Sequence, residues 1–472
     1  MDCGTDIGSI NNIDVESKIM NMNDKEQTKP RLAVLGAGES GTGAAILAKQ
    51  KGYDTFVSDM GEIQPTYKAL LNQHGIAWEE GKHTEELILN ATEIVKSPGI
   101  PLNAPIIRKC QEKGVPVISE IELAARYTKA KMICITGSNG KTTTTSLIFD
   151  MLQRAGLNVG LAGNIGNSLA LQVAQQARDY YVIELSSFQL DNMYDFKADI
   201  AILMNITPDH LDRYEYQFQN YIDAKFRITR NQTAEDAFIY WSEDPVINSQ
   251  LQKLGLRATM YPFGSKKAHN VTYVDGAQFV VEAPNALALR LPVSDLSLQG
   301  RHNQFNSMAA SLAAQILHIK NEVIRESLMQ FRGVEHRLQY VATVRNIRFI
   351  NDSKATNVNS CWYALESMTT PTVLILGGKD KGNDYSEIDA LVQEKCHTLV
   401  YMGLHNEPLH QHFDNMGLRI IDTDNIHDAV RQAYQAAHEG DTVLLSPCCA
   451  SFDLFRSYED RGEQFMQEVK RL

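Results

Sequence analysis

The amino-acid sequence predicts an α/β protein of three domains. Short apolar runs typical of buried strands alternate with helical segments along most of the chain. Two of these strands run directly into glycine-rich turns that open a helix, one at Gly36 and one at Gly137. The chain has 472 residues, and a domain size of about 150 residues fits three domains.

Composition excludes several classes of partner. Residues 1–30 are polar and lack the apolar core of a signal peptide, so we expect a flexible extension there. No apolar run approaches the length of a membrane span. The net charge of −12 argues against a nucleic-acid partner. The seven cysteines lack zinc-binding spacing, which favours reduced thiols in a cytoplasmic protein. With no apolar run of sufficient length, we expect no membrane insertion.

The first glycine turn has the pattern Gly36-x-Gly38-x-x-Gly41, between a strand and a helix. Asp59 ends the next strand, at the spacing found in dinucleotide-binding domains. The glycines let the backbone approach a pyrophosphate, whose charge a helix N-terminus stabilises. A tight turn without a ligand is the alternative. With further strands expected over 91–96 and 115–118, residues 31–121 are predicted to form a Rossmann-like domain.

The second glycine turn is more specific. The segment Thr136-Gly-Ser-Asn-Gly-Lys-Thr-Thr143 follows an apolar strand and opens a helix over 142–156. Backbone N–H groups of such a loop bind phosphates, Lys141 would reach the terminal phosphates, and the Thr142 hydroxyl would bind Mg²⁺. Ile135 stands where the usual loop has a glycine, so the match is to a shortened variant. Two phosphate-binding turns indicate one nucleotide in the substrate and one as energy source.

The remaining strands place these turns in larger units. Strands are predicted over 180–185, 199–205, 237–241 and 258–263, followed by a hairpin with an Asp275-Gly276 turn. We expect residues 122–333 to form a P-loop ATPase-like α/β domain. Four more strands and two helices predict a C-terminal Rossmann-like domain over 334–472. The predicted C-terminal elements are strands 348–352, 372–376, 398–402 and 442–446, and helices 425–440 and 458–472.

From about Arg31 to Leu472, the chain resembles the Mur ligases, and within them the enzymes that add D-glutamate. The resemblance depends on motifs that occur in the family's order. These are Ser97-Pro-Gly-Ile100, Gly137-Ser-Asn-Gly-Lys-Thr142, Gly163-Asn-Ile-Gly166, Glu184-Leu-Ser-Ser-Phe-Gln-Leu190, Asn205-Ile-Thr-Pro-Asp-His210, His302-Asn-Gln-Phe-Asn306, His336-Arg337, Asp352-Ser-Lys-Ala-Thr-Asn357 and Leu445-Ser-Pro447.

The resemblance implies an ATP-dependent ligase that joins D-glutamate to UDP-N-acetylmuramoyl-L-alanine in peptidoglycan precursor synthesis. It also implies two Mg²⁺ ions, and we expect a monomer. The implied ATP contacts are Gly137, Ser138, Asn139, Gly140, Lys141, Thr142, Thr143, Asn303, Arg337 and Asp352. The implied metal ligands are Thr142, Glu184, His210 and Lys225 as its carbamate, and the catalytic set is Lys141, Glu184, His210 and Lys225.

The same resemblance assigns the two substrate sites. Contacts to the UDP-linked substrate are implied for Gly38, Glu39, Ser40, Gly41, Thr42, Asp59, Asn164, Ser186 and Gln189. The D-glutamate pocket is implied to contain Lys354, Thr356, Lys381, Ser451 and Tyr458. Phe452 and Tyr458 depart from the Leu and Phe expected in better-known members, which concerns the shape of that pocket and not the reaction.

Each proposed ligand has an ordinary alternative. Glu184 ends an apolar strand, where a salt bridge would satisfy it as well as a metal. His210 alone would be an ordinary histidine, although it follows a strand at the edge where α/β sheets bind ligands. Lys225 and Lys354 would by default be solvated lysines. Carbamylation of Lys225 requires a neutral amine and hence a lowered pKa.

Three other functions compete with the ligase. A folate polyglutamate ligase is disfavoured by the motif around Lys354. An NAD-dependent oxidoreductase built on the turn at Gly36 is disfavoured by the loop at Lys141. A nucleotide-binding regulator without activity is disfavoured because Lys141, Glu184, His210 and Lys225 are all present.

Overall fold

The structure is a computed structural model, which describes residues 29–266, 272–283, 286–380 and 382–472. Almost all of the expected N-terminal extension, the proposed pocket residue Lys381 and the first residue of the predicted hairpin, Val271, lie outside these ranges. The described strands form four sheets, and each sheet lies inside one of the three proposed domain segments.

The N-terminal sheet is parallel, with strand order β3-β2-β1-β4-β5. Because β1 lies at its centre, the turn that follows β1 leaves from the carboxyl edge, where α/β sheets bind ligands. The strands are β1 (Arg31–Leu35), β2 (Asp54–Asp59), β3 (Ala77–Glu80), β4 (Glu93–Lys96) and β5 (Val117–Ile118). The helices are α1 (Glu39–Gln50), α2 (Pro65–Gln73), α3 (Glu85–Leu89), α4 (Pro105–Glu112) and α5 (Glu120–Ala125).

The central sheet is also parallel, with strand order β11-β10-β9-β6-β8-β7, and a three-stranded antiparallel sheet follows it. The strands are β6 (Lys131–Thr136), β7 (Val159–Gly163), β8 (Tyr180–Glu184), β9 (Ile200–Leu203), β10 (Ala237–Trp241), β11 (Thr259–Phe263), β12 (Tyr273–Asp275), β13 (Gln278–Val281) and β14 (Leu289–Pro292). The helices are α6 (Lys141–Arg154), α7 (Leu169–Gln175), α8 (Ser187–Leu190), α9 (Phe218–Phe226), α10 (Pro245–Leu251), α11 (Arg301–Ile316) and α12 (Asn321–Gln330).

The C-terminal sheet has the order β15-β16-β20-β17-β18-β19 and is parallel except for β15. The strands are β15 (Gln339–Val344), β16 (Ile347–Asn351), β17 (Thr372–Gly377), β18 (Cys396–Met402), β19 (Arg419–Thr423) and β20 (Thr442–Cys448). The helices are α13 (Val358–Glu366), α14 (Asp389–Lys395), α15 (Glu407–Phe413), α16 (Ile426–Ala436) and α17 (Tyr458–Val469).

Strand β6 illustrates why the parallel strands read as continuous apolar runs. Ile133 and Ile135 point into the cluster that packs under α6 and α11, while Met132 and Cys134 point into the opposite cluster. Both faces of the strand are therefore buried, as is usual for a parallel sheet covered by helices.

The N-terminal and central domains share one apolar core. A single cluster runs from β1 through α1 and α7 to the central strands. The two helices approach so closely that a Cβ atom at Gly43 would lie 2.2 Å from Ser168 Oγ. This packing fixes the first glycine turn relative to the central sheet.

The predicted hairpin is confirmed over its described part. Tyr273 pairs with Val280 and Asp275 with Gln278, and Gly276 has a φ of +59° in the turn between them. The left-handed conformation explains the glycine. Within the described ranges, no helix has both the length and the apolar character needed to cross a lipid bilayer.

Candidate active site between the three domains

The loop after β6 has the conformation of a phosphate-binding turn. Gly137 and Gly140 have φ values of +149° and +83°, and a Cβ atom at Gly140 would lie 2.4 Å from Asn306 Oδ1. The Ser138 and Asn139 amides donate to the Asn205 backbone and side-chain oxygens at 2.9 and 2.8 Å. Only glycine fits at Gly140, so sequence and backbone geometry specify the same loop.

Lys141 lies against this loop. Its Nζ donates to the carbonyl oxygens of Gly137 and Ser138, at 2.8 Å each. Burial lowers the pKa of Lys141, an effect that the nearby carboxylates of Glu184 and Asp209 oppose. The ammonium group is therefore held at the mouth of the turn by carbonyl groups, which a phosphate could replace.

Glu184 ends β8 beside the loop and is 1% exposed. Its Oε1 accepts a hydrogen bond from Asn164 Nδ2 at 2.8 Å, but its buried Oε2 has no hydrogen-bond partner among the described residues. The Thr143 hydroxyl is also buried without one. An unpaired buried carboxylate oxygen is costly, and a hard divalent cation with oxygen ligands would satisfy it. The residues present thus fit Mg²⁺.

Lys225, on α9, is buried beneath the same loop. It is 1% exposed, its Nζ donates to the Gly137 carbonyl at 2.8 Å, and it lies 4.6 Å from the centre of the Tyr221 ring. Burial, reinforced by the charge of Lys141, lowers the pKa of Lys225 well below its ordinary value. The ordinary alternative of a solvated helix lysine is therefore wrong, and the neutral amine that carbamylation needs is favoured.

His210 follows β9 at the same edge of the sheet. It has a φ of +53°, and its ring meets the Phe188 ring edge-on at 5.2 Å between centroids. Its Nε2 lies 3.6 Å from Asp209 Oδ2. The same Asp209 oxygen accepts a hydrogen bond from Asn357 Nδ2 of the C-terminal domain at 3.2 Å. The implied metal-ligand segment therefore contacts the third domain.

A cavity between the central and C-terminal domains adjoins the phosphate-binding turn. Its wall combines Asn139 and Gly140 of the turn with Arg337 and Asp352. The implied ATP contact Asn303 does not line this wall itself. Its amide donates to the Gln299 carbonyl at 2.8 Å, and its Oδ1 accepts from Asn306 of the wall at 3.1 Å. The aromatic and imidazole side chains that complete the wall are Trp241, His302, Phe305 and Tyr363. Flat rings beside a phosphate-binding turn would suit an adenine base. The cavity measures only about 30 Å³, which is room for water, so a base would enter it only if the two domains moved apart. We call it the adenine cavity after this expected occupant.

The charged groups of this cavity are strongly buried. Burial raises the pKa of Asp352 to about 6 against the opposing effect of Arg337, and burial lowers the pKa of His302 to about 3. Asp352 accepts hydrogen bonds from the Leu338 amide at 3.1 Å and from Ser446 Oγ at 2.9 Å. The Nε atom of Arg337 and the Nδ1 atom of His302 are buried without hydrogen-bond partners among the described residues, so both can serve a ligand.

Two hydrogen bonds join the phosphate-binding turn to the C-terminal domain. Asn139 Nδ2 donates to Asn359 Oδ1 at 2.6 Å, and Ser360 Oγ donates to Asn139 Oδ1 at 2.7 Å. Asn359 and Ser360 lie in the first turn of α13. The adenine cavity is therefore bounded by both domains.

The first glycine turn borders a second cavity, of about 840 Å³. Gly38 and Asp59 line it, together with Ser97, Gly99 and Ile100 of the loop after β4. A Cβ atom at Gly38 would meet nothing within 4 Å, whereas one at Gly41 would lie 1.8 Å from the Gly36 carbonyl oxygen. Gly38 is therefore open to a ligand and Gly41 is required for packing.

Several residues implied to contact the UDP-linked substrate have partners inside the protein. Asp59 accepts hydrogen bonds from the Ala37 and Gly61 amides at 2.6 and 2.8 Å. Glu39 accepts from the Ser168 amide at 2.9 Å, and the buried Thr42 hydroxyl donates to the Ala37 carbonyl at 3.2 Å. Ser40, half-buried, is the second residue of α1.

The substrate-contact residues implied in the central domain lie beside the metal site. Ser186 and Gln189 form a capping box at the start of α8, in which Gln189 Oε1 accepts from the Ser186 amide at 2.9 Å. Asn164 donates to Glu184. These contacts fix the segment that follows Glu184.

The proposed D-glutamate pocket faces the metal site from the C-terminal domain. Lys354 Nζ lies 5.2 Å from the centre of the Tyr458 ring, and burial lowers the pKa of Lys354 to about 8, opposed by Glu184. Ser451 is buried and Thr356 is half-buried. Lys381 lies outside the described residues.

Family models match the chain in three consecutive segments. A Mur ligase MurD-like N-terminal domain matches residues 30–119, a Mur ligase middle domain matches 135–314, and a Mur ligase glutamate ligase domain matches 336–449. Together these segments cover more than half of the chain. This chain belongs to the Mur ligase family.

Similar Mur ligases cover nearly the whole chain. UDP-N-acetylmuramoylalanine--D-glutamate ligase of Bacteroides fragilis is 65% identical over 94% of this chain and 100% of the relative. The enzyme of the same name from Porphyromonas gingivalis is 55% identical over 95% of this chain and 100% of the relative.

Solved structures confirm the Mur ligase fold. UDP-N-acetylmuramate-alanine ligase from Thermotoga maritima superposes with a TM-score of 0.60 at 18% identity, covering 93% of this chain and 99% of that chain. A pseudomurein peptide ligase from Methanothermus fervidus gives the same TM-score at 18% identity, covering 94% and 100%. At this identity the likeness concerns the fold alone.

The sequence alone did not point to the aromatic wall of the adenine cavity. It also did not point to Lys96 and Arg213, whose side chains donate to the carbonyls of Ser97–Ile100. Trp241 and Tyr363 occur in no motif that would have distinguished them from core residues. His302 and Phe305 belong to a family motif from which only Asn303 was selected. Arg213 follows the His210 motif by three residues, and no signal in the sequence connects it with the loop after β4.

Proposed function

We propose that this Mur ligase uses ATP to join D-glutamate to UDP-N-acetylmuramoyl-L-alanine. The observation that carries the proposal is the cluster beside the phosphate-binding turn: Lys141, the unpaired buried Oε2 of Glu184, and the buried Lys225. One cavity adjoins the phosphate-binding turn and a second borders the first glycine turn.

The chemistry explains why ATP is required. An amide cannot form directly from a carboxylate, because hydroxide is a poor leaving group. The pKa of water is about 15.7 and the second pKa of phosphate is about 6. A difference of about ten units at about 1.36 kcal/mol each gives at most about 13 kcal/mol of leaving-group advantage for an acyl phosphate. Phosphorylation of the L-alanyl carboxylate followed by attack of the D-glutamate amine would use this advantage.

The first transfer brings a carboxylate against a triphosphate, so positive charge must offset their repulsion. Lys141 and Arg337 would neutralise the phosphates from two sides. We further propose that Thr142 and Glu184 hold one Mg²⁺, and that His210 and the carbamate of Lys225 hold a second. Bound by these residues, the ions would supply positive charge that offsets the repulsion between phosphate and carboxylate. Burial lowers the pKa of Lys225, which favours the neutral amine that carbamylation requires.

The remaining assignments complete the substrate sites. Gly38, Ser40 and Asp59 are proposed for the uridine diphosphate, with Asn164, Ser186 and Gln189 for its sugar-peptide portion. Lys354, Thr356, Ser451, Tyr458 and Lys381 are proposed for D-glutamate, whose carboxylates need cationic and hydroxyl partners. We also propose a monomeric enzyme that acts in the cytoplasm, where ATP and UDP-linked precursors are available.

A phosphate-release assay tests this function. Purified protein with ATP, Mg²⁺ and UDP-N-acetylmuramoyl-L-alanine should release phosphate only when D-glutamate is added. A panel of D- and L-amino acids should give at most about a hundredth of that rate, since a missing or misplaced carboxylate leaves the pocket's charges unpaired. Release that does not depend on the amino acid would contradict the proposal.

A further inference from the structure

The loop Ser97–Ile100, which follows β4 and lines the cavity at the first glycine turn, is held by two cationic side chains. Lys96 Nζ donates to the carbonyl oxygens of Ser97 at 3.1 Å and of Ile100 at 2.8 Å. Arg213, from the central domain, directs its two Nη atoms to the carbonyls between them: Pro98 at 3.3 Å and Gly99 at 3.4 Å. All four carbonyls of the loop therefore accept from a cation, and the two domains each supply one.

Arg213 also contacts the segment that carries His210. Its guanidinium lies 4.4 Å from the centre of the Phe188 ring, and that ring meets the His210 ring edge-on. The Arg213 amide donates to the His210 carbonyl at 3.0 Å. His210 also has a φ of +53°, a conformation that its surroundings must stabilise. The contacts to its ring and to its carbonyl therefore restrict the direction of the imidazole.

Charged groups of both signs lie around Lys96 and Arg213. Lys96 is 2% exposed, and its pKa is lowered to about 8 by burial and by the charge of Arg213, against the effect of Asp191. Asp191 in turn accepts from the Tyr214 hydroxyl at 2.9 Å and lies 4.0 Å from Arg227. The buried Lys96 and the half-buried Arg213 tolerate each other because both donate to the carbonyl oxygens of the loop and the charge of Asp191 acts on Lys96.

We propose that Arg213 is a positioning residue that couples the Ser97–Ile100 loop, where the UDP-linked substrate binds, to the metal-binding segment at His210. The inference rests on the proposed function. Binding of the nucleotide-linked substrate against the loop fixes the carbonyls of Pro98 and Gly99, which fixes the guanidinium and, through Phe188, the His210 ring. Because coupling between two sites is reciprocal, this substrate lowers the Mg²⁺ concentration needed, and Mg²⁺ tightens substrate binding.

The expected effect follows from the usual size of such coupling, which is about 5- to 150-fold in affinity. In the wild-type protein, the Mg²⁺ concentration for half-maximal phosphate release should fall at least about fivefold between sub-saturating and saturating UDP-N-acetylmuramoyl-L-alanine. Arg213→Met keeps an aliphatic chain over Phe188 but removes both donors, so the fall should shrink to less than about twofold. Arg213→Lys retains one donor and should restore part of it.

Arg230→Met is the matched control. Arg230 also lies over an aromatic ring, at 5.6 Å from the Tyr194 centre, and donates to a backbone carbonyl, that of Met193 at 3.3 Å. Both of those partners belong to the central domain. Arg230→Met should show the same dependence on Mg²⁺ as the wild type. In every variant, the KM for D-glutamate should stay within about twofold of the wild-type value.

A calorimetric titration of UDP-N-acetylmuramoyl-L-alanine without ATP, carried out both without and with Mg²⁺, separates this inference from the ligase assignment. Mg²⁺ should tighten binding in the wild type and in Arg230→Met but not in Arg213→Met. Without Mg²⁺, Arg213→Met should bind the UDP-linked substrate about tenfold more weakly than the wild type and Arg230→Met. A wild-type protein without D-glutamate-dependent phosphate release would refute the function, while the titration would still decide the role of Arg213. Unchanged binding or unchanged Mg²⁺ dependence in Arg213→Met, or no Mg²⁺ dependence on substrate in the wild type, overturns the coupling. If Arg213→Met does not fold, Arg213→Lys decides by the same measures.

Discussion

Lys225 and Glu184 are buried ionisable side chains with few hydrogen-bond partners. Lys225 donates to one carbonyl under the phosphate-binding turn, and Glu184 keeps one buried oxygen without a hydrogen-bond partner in the described part of the chain. A protein that folded around these groups without a ligand would be less stable than one with apolar residues there. A metal ion held by the free Glu184 oxygen and by the proposed carbamate of Lys225 would complete both groups.

The substitution Lys225→Ala should lower the rate of D-glutamate-dependent phosphate release by at least about a thousandfold, because a metal ligand would be lost. Short carboxylic acids such as acetate should restore part of the activity by occupying the position of the carbamate. Lys395→Ala is the control, since among the described residues Lys395 donates only to the carbonyls of Leu365, Glu366 and Met368. Its activity per folded molecule should be normal and insensitive to acetate. Full activity of Lys225→Ala would remove the carbamate hypothesis.

Lys354 predicts a pH dependence of amino-acid binding. Its pKa, lowered to about 8 by burial, means that the cation is present below pH 8 and is lost as the pH rises through that value. The KM for D-glutamate should therefore rise above about pH 8, approaching tenfold per pH unit for one required proton. Lys354→Arg keeps its charge over this range, so its KM should not show that rise. Parallel profiles for the two proteins would show that Lys354 does not control binding.

At the scale of elements, Gly38 and Gly41 of the first glycine turn have different roles. Gly41 allows α1 to pack against the Gly36 carbonyl, whereas Gly38 faces the open cavity. We predict that Gly38→Ala leaves the thermal midpoint within about 2 °C but weakens UDP-N-acetylmuramoyl-L-alanine binding at least about tenfold, because its methyl group occupies ligand space. Gly41→Ala should instead lower the midpoint by several degrees. Calorimetry measures both, and equal effects on stability would contradict this division.

The strands show which elements the apolar pattern of the sequence can predict. Sequence analysis located the central strands of each sheet and missed five, β3, β7, β14, β15 and β19, which are all edge strands. The segment Ala77–Glu80 has only two apolar residues, and none of its residues is fully buried. An edge strand pairs on one side only and needs less apolar surface. Its sequence therefore carries a weaker strand signal, and the neighbouring strand decides its conformation.

At the scale of the whole molecule, the adenine cavity exists only where two domains meet. Asn139 of the phosphate-binding turn bonds to Asn359 and Ser360 at the start of α13. Replacing Asn359 and Ser360 with alanine should raise the KM for ATP about thirtyfold, since two neutral hydrogen bonds contribute about 1 kcal/mol each and about 1.4 kcal/mol is a factor of ten. The KM for the UDP-linked substrate, bound elsewhere, should stay within about twofold.

Ser367→Ala is the control for this pair. Ser367 caps the end of the same helix and donates only within it, to the Tyr363 carbonyl at 2.8 Å. This variant should keep the wild-type KM for ATP. If the double variant also kept it, the hydrogen bonds between the domains would have no part in nucleotide binding.

The sequence by itself determined the residues that must be close to a phosphate: the glycines of both turns, Lys141 and Glu184. A left-handed backbone, a strand end and a helix start are local properties, and local sequence specifies them. Only the tertiary structure decided the charge state of Lys225, the aromatic wall of the adenine cavity and the contact of Arg213 with Pro98 and Gly99. Each of these depends on burial or on a partner more than 80 residues away, and no pattern of neighbouring residues contains that information.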